Sequence, residues 1–292
     1  MQAVVRVFRT AMLGWWNDRA LSLGAAISFY ALFSIGPVLL ASVTIAGFFF
    51  GQEAARGAVV AEADGLIGTS AAAALDSMLG AATHFGSSPL SIAFGMTMFF
   101  ILATGAIVEL QDDLNIIFKA HPKGGDFWVI VRSRLISAAM VLTLGFLLLI
   151  SLVLDAGLTA VSNYLLDRFD SMQPLIVFLK MMLSLSVETM LFAAIFRLLP
   201  EKRLEWPTVL AGALLTAVLF EIGKFLIGAY ISQSGVVTTY GSAASLVTIL
   251  LWIFYSCQIF LFGAEFTWAL ARERGSANED EPHGEPRPQA RP

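Results

Sequence analysis

A chain of 292 residues that is 57% hydrophobic and only 14% charged lacks the polar side chains to cover a soluble globule, in which about 25% of residues are charged. Its 18 Lys and Arg against 22 Asp and Glu give net −4 and a pI near 5.4, excluding the dense basic surface that nucleic-acid binding requires. The single cysteine, Cys257, lies inside an apolar run, which excludes a disulfide scaffold.

The first 20 residues interleave Arg6, Arg9 and Arg19 with Val4, Val5, Phe8, Met12, Trp15 and Trp16. That pattern predicts an amphipathic helix lying in the membrane interface, with the tryptophans at headgroup level. No short apolar core with a small-residue cleavage site follows, so the next span is expected to remain as an anchor.

Apolar stretches of bilayer-crossing length follow at roughly 23–50, 89–110, 134–156, 174–199, 208–230 and 242–270. The first is crowded with small residues from Gly24 to Ala31 and interrupted by Gly36-Pro37, where a kink is expected. Between the first two spans, residues 52–88 are rich in alanine and acids, predicting short amphipathic helices on the outer face. After Arg274 the composition turns to Pro, Glu and Gly, which predicts a disordered tail over 271–292.

The fold expected is therefore all-α: an integral membrane bundle of six transmembrane helices over 21–270, with an N-terminal interfacial helix and short extracytoplasmic amphipathic helices. Placing the N-terminus inside puts 14 Lys and Arg in inside segments, leaves Arg56 and Arg168 outside, and keeps Lys180 and Lys224 within spans. That asymmetry predicts both termini in the cytoplasm.

Charge inside the fourth and fifth spans is the most informative feature, because ionisable groups at membrane depth are costly and usually face a bundle interior or a wet cavity. Lys180, Ser184 and Glu188 share one helical face by their spacing, as do Ala213, Ala217, Glu221, Lys224 and Gly228. In antiparallel spans the two glutamates fall at similar depth, which predicts a Glu–Lys contact between the helices. Such a network serves either as a structural lock or as a polar cavity for an anion, a headgroup or a proton.

Tyr30, Ser34 and Pro37 share a face of the first span, where a helix broken at the proline would offer free carbonyls to a cavity. Thr239, Tyr240 and Gly241 form either an outer gate or a turn that Ser242 caps. Asn115, beside Asp112 and Asp113, reads as a terminator of the second helix, and Glu265 as a snorkelling surface acid. His84, His121 and His283 fall in separate segments, and no metal-ligand or phosphate-loop motif occurs.

Several of these residues carry a resemblance. Gly24-Ala-Ala-Ile-Ser-Phe-Tyr-Ala-Leu-Phe-Ser-Ile-Gly-Pro37, Asp113-Leu-Asn-Ile-Ile-Phe118, Leu198-Leu-Pro200, Trp206-Pro207, Thr239-Tyr-Gly-Ser-Ala243, Leu251-Trp252 and Gly263-Ala-Glu265 resemble, in kind and order, the motifs of the YihY/virulence factor BrkB family. Gly36 stands where that family often has an aliphatic residue, which loosens the expected kink further. The resemblance implies a six-helix protein of the bacterial inner membrane. Its members have been connected with serum resistance, envelope lipid export and anion movement. An older label of tRNA-processing ribonuclease for the family is regarded as mistaken.

The function expected is a non-enzymatic transporter, channel or lipid-translocating protein, moving an anion or an envelope lipid along a polar path near the fourth and fifth spans. Its partners would be membrane lipids and that substrate, with no nucleic acid, cofactor or metal. The alternative is a membrane protein that supports envelope assembly without transport, through residues 52–88. A ribonuclease is disfavoured by the composition and by the missing catalytic groups.

Overall fold

The computed structural model describes residues 2–67, 72–73, 75–77, 79–80, 105–120, 173–233 and 244–275. Among these residues every regular element is helical. The helices are α1 (Gln2–Asn17), α2 (Ala20–Phe50), α3 (Gln52–Ile67), α4 (105–117), α5 (Gln173–Leu198), α6 (Trp206–Gln233) and α7 (Ala244–Glu273). Three segments are long and apolar enough to cross a membrane: Met181–Leu198, Trp206–Tyr230 and Leu246–Glu273. They coincide with the last three expected spans. The third expected span and most of the second lie outside the described residues, as does the tail beyond residue 275.

Helix α7 is the hub, packing against α1, α2 and α6, while α5 packs on the other side of α6. In lipid there is little hydrophobic drive between helices, so close backbone approach through small residues has to supply the contact. The α6–α7 seam does this reciprocally. Thr267 of α7 covers Gly212 of α6, where an added Cβ would lie 1.8 Å from its Oγ1. Thr216 of α6 covers Gly263 of α7, where the same distance is 1.9 Å. Each threonine hydroxyl donates to a carbonyl of its own helix, Thr216 to Gly212 (2.8 Å) and Thr267 to Gly263 (2.7 Å), so neither leaves a polar group unpaired.

Aromatic rings fill the space between α5, α6 and α7. Phe196 and Phe260 lie 5.1 Å apart, Phe192 and Phe220 5.8 Å, and Phe220 and Trp252 6.1 Å. Ring pairs in such offset and edge-to-face arrangements contribute roughly 0.5–1.5 kcal/mol each through packing and ring electrostatics.

The N-terminal helix does not rest on the bundle by its polar side. Val7 and Ala11 are buried against Ala269, Phe262 and Phe266 of α7, and Arg6 pairs with Glu273 at 2.8 Å. The opposite face leaves Val4, Val5, Met12, Leu13 and Trp16 exposed, an apolar surface suited to lipid. The elbow into α2 turns at Arg19, whose φ of 56° is left-handed.

One expectation needs correction here, that of a helix broken at the proline. Helix α2 runs unbroken from Ala20 to Phe50 through Gly36-Pro37, so the proline interrupts no helix; at about 1.5 Å per residue it spans about 46 Å. A proline costs one helical hydrogen bond, a local loss that a helix of 31 residues survives. The segment after it also does more than rest on an outer face. Gly51 (φ 89°) reverses the chain, and α3 packs back on α2. Gly47 admits this turn, since a Cβ there would lie 2.8 Å from Gln52 Cγ. Arg56 then pairs with Asp76 at 2.6 Å, and Ala63, Ala72 and Leu75 join the main core.

Candidate functional site

The face of α5 that carries Ser184 and Glu188 meets the face of α6 that carries Glu221 and Lys224. Lys224 Nζ lies 3.0 Å from Glu188 Oε1 across the helix pair, and 2.8 Å from Glu221 Oε1 within its own helix. Ser184 Oγ donates to the same Glu221 oxygen at 3.3 Å. The three charged side chains are 17 to 32% exposed, so the group is half-buried rather than sealed. Beneath the ammonium lies the Phe220 ring, 5.6 Å from Nζ to centroid, a cation–π contact that helps hold it at this depth. Glu188 Oε2 is buried with no hydrogen-bond partner.

Helical spacing placed these residues correctly on facing sides, but not every neighbour does what the spacing implied. Ala213 and Ala217 are fully buried. Gly228 has nothing near its missing side chain and admits no helix. Close approach comes instead at Gly212 and at Gly223, where an added Cβ would lie 2.8 Å from the Tyr255 ring of α7. Lys180 is helical, and its side chain lies outside the described residues, as do Thr239, Tyr240, Gly241 and the three histidines altogether.

On the first span, Ser34 is buried and donates to the Ala31 carbonyl at 3.1 Å, while Tyr30 is exposed. The side chain of Pro37 lies outside the described residues. Tyr30 and Ser34 therefore share a helix but not an environment. Gly24 has a clearer role, because a Cβ there would lie 2.1 Å from Gln258 Nε2. Gln258 in turn reaches the Ala20 carbonyl at 3.4 Å, which ties α7 to α2.

A second polar cluster, unforeseen from the sequence, joins the α1–α2 elbow to α4 and α7. Lys119 pairs with Asp18 across the elbow. Glu265, expected at the surface, is only 2% exposed; its carboxylate packs on Gly14, where a Cβ would meet Oε2 at 2.3 Å. A glycine in α1 makes the pocket that receives this acid. Asn115 does not end its helix either. It is buried within α4, and its Oδ1 accepts the Glu201 backbone N–H at 2.9 Å, tethering α4 to the α5–α6 connection. The helix ends past it, at Lys119, whose φ is 51°.

Asp113, also 2% exposed, has one oxygen with no partner. Burial, then the nearby Glu109 and Asp112 charges, push its carboxyl up to about 7. Asp112 is raised by burial and by Glu201. Nearby, the α5–α6 connection is pinned by Lys202 over the Trp268 ring (5.0 Å) and by Arg197 over Trp206 (5.6 Å).

Small-residue seams, a buried Glu265 after Gly263-Ala264 and an Asn115 tether give a physical role to three of the sequence motifs among the described residues. A family model described as virulence factor BrkB matches residues 11–288. The chain belongs to this family. Among its relatives are UPF0761 membrane proteins of Rhodospirillum centenum, 26% identical over 96% of this chain, and of Vibrio cholerae, 27% identical over 67%. A third, from Vibrio vulnificus, is 30% identical over 64% of the chain. The chain spans 61% and 64% of the lengths of the first two. No solved structure matches it. It is a helical membrane protein of the BrkB family.

Proposed function

We propose that this BrkB-family protein is a carrier of the bacterial inner membrane, with six spans and both termini in the cytoplasm, and that it moves an anion or an envelope lipid past the polar faces of α5 and α6. The observation that carries this reading is the Glu188–Lys224–Glu221 group, a half-buried set of charges placed in helices of membrane-crossing length. A purely structural bundle gains little from charges at such depth, because breaking even with apolar packing is the usual outcome for a buried ion pair. The orientation rests on the Lys/Arg asymmetry between alternate loops. The reading assigns no catalytic step to the chain.

Reconstitution tests it. Liposomes holding the purified protein should show protein-dependent movement of a fluorescent phospholipid or of an anion read by a trapped dye. Glu188→Gln and Glu221→Gln should abolish that movement while the protein stays folded. Absence of both fluxes, or fluxes that both variants keep, would replace this reading with that of an envelope-assembly protein. Cysteine labelling at positions 60 and 123 checks the orientation, with 60 accessible from outside and 123 only from inside.

A further inference from the structure

We propose that the α5–α6 site binds one exchangeable monovalent cation, a proton or an alkali ion, at Glu188; this rests on the carrier reading and names the species that accompanies its substrate. Two carboxylates share a single ammonium, and both use one oxygen each on Lys224 Nζ. The group therefore carries one uncompensated negative charge, and the oxygen left over, Glu188 Oε2, is buried without a partner.

Nothing described nearby neutralises it. On α6, Glu221 and Lys224 are already paired, and Ser184 of α5 is turned to Glu221. Lys180 lies eight residues along α5 from Glu188, about 12 Å along the axis, and its side chain lies outside the described residues. Helix α7, packed behind α6, has no charged residue from Ala244 to Ala264; the group it offers near this level is Tyr255, against Gly223. A lone negative charge at membrane depth is costly, and one added positive charge removes that cost.

The charge count also selects the ligand. A divalent ion would overshoot to net positive, and Lys224 already occupies the position between the carboxylates where a bridging metal would sit. Among the described residues no group of three His, Cys, Asp or Glu could hold a metal ion. Lys224, shared by two carboxylates, leaves no free positive charge to hold an anion by itself, so an anionic substrate would pass this group with the cation seated. The partial exposure of all three side chains leaves a route for the cation to exchange.

The test uses the purified full chain in nanodiscs, with two readouts that need no transport. Infrared difference spectra between pH 5.5 and pH 8.5 (about three units apart on the scale where a carboxylate titrates), without sodium or potassium, should show, beside the band of Asp113 that titrates in the same range, a protonated-carboxyl component that Glu188→Gln removes. Alternatively, sodium or potassium added at fixed pH should raise the unfolding temperature, and Glu188→Gln should remove that rise. The first outcome identifies the proton and the second the alkali ion. Glu221→Gln, which also leaves one acid per base, should remove either signal, whereas the exposed Glu53→Gln should keep it. Difference spectra and unfolding temperatures that show neither signal, or that Glu188→Gln leaves unchanged, overturn the cation site. Liposome flux separates the two levels: flux without a cation signal sinks this inference alone, and a cation signal without flux sinks the carrier reading alone.

Discussion

Replacing Gly263 by alanine puts a methyl where α6 and α7 already touch. Its Cβ would lie 1.9 Å from Thr216 Oγ1, 2.9 Å from Thr216 Cβ and 3.0 Å from Cγ2, against 3.4–4 Å for ordinary contact. Thr216 is fully buried, and its hydroxyl is held by the Gly212 carbonyl at 2.8 Å. Turning the side chain away therefore loses that hydrogen bond, about 0.5–1.5 kcal/mol. That rotation leaves the 2.9 Å approach to Thr216 Cβ, so the helices must also part, which costs roughly 1–3 kcal/mol of packing. Together the substitution should destabilise the protein by about 2–4 kcal/mol, read by thermal unfolding in detergent micelles. Thr216→Gly removes all three clashing atoms, so the double variant should be more stable than the sum of the single changes by at least about 1 kcal/mol. The mirror pair behaves differently. Gly212→Ala would also meet the Cα of Thr267 at 3.2 Å, which no side-chain change removes, so Thr267→Gly should rescue it less. Gly263→Ala costs that add to Thr216→Gly within about 0.5 kcal/mol would refute the interlocked seam.

Lys224→Met strips the counter-charge from two glutamates and should cost about 3–5 kcal/mol, with Glu188→Gln/Glu221→Gln in the same chain restoring most of it; the check is a mutant cycle on unfolding temperature. Asp113 titrates near 7 when folded against 3.8 in the reference state, so folding holds its proton between those values and stability falls as pH rises through that window. Asp113→Asn should remove a fall of about 4 kcal/mol, its advantage being full above pH 7 and vanishing toward pH 4; a pH-independent difference would count against the burial argument. Asn115→Ala leaves the Glu201 N–H without its acceptor and should cost about 1–3 kcal/mol, with faster proteolysis in the α5–α6 connection as the local readout.

What the sequence showed depended on whether the controlling contact was local. Spacing along one helix grouped Ser184 with Glu188 and Glu221 with Lys224, and counting residues from the shared connection set them at one depth. Both arguments stay within 50 residues of chain. Glu265 failed because its partner is Gly14, across the whole length of the chain, and a glycine gives no periodic signal of being a socket. The same holds for Gly212 and Gly263, which read as neutral small residues until the facing threonine is known. Asn115 misled for another reason. Its helix-ending habit is a propensity, and a tertiary hydrogen bond to Glu201 outweighed it. At Pro37 the local cost was real but too small to break a helix of that length.

The two seams of α6 differ in kind, and that difference bears on how the bundle can move. Against α7 the contact is steric and reciprocal, two threonines seated over two glycines, so sliding by a fraction of a turn makes both pairs clash at once. Against α5 the connection near the charged site is electrostatic. Lys224 and Glu221 pair within α6 and would travel together; only the 3.0 Å contact to Glu188 and the Ser184 hydrogen bond cross the gap. Displacing α5 near the charged site breaks one charged contact and one weak hydrogen bond and also parts Phe192 from Phe220 and Phe196 from Phe260, while the α6–α7 seam stays intact. Neutralising Glu188 weakens the larger of the two polar ties. A cation arriving at Glu188 would thus compensate the buried charge and loosen the helix pair in the same event, which is the coupling between ligand and conformation that a carrier needs.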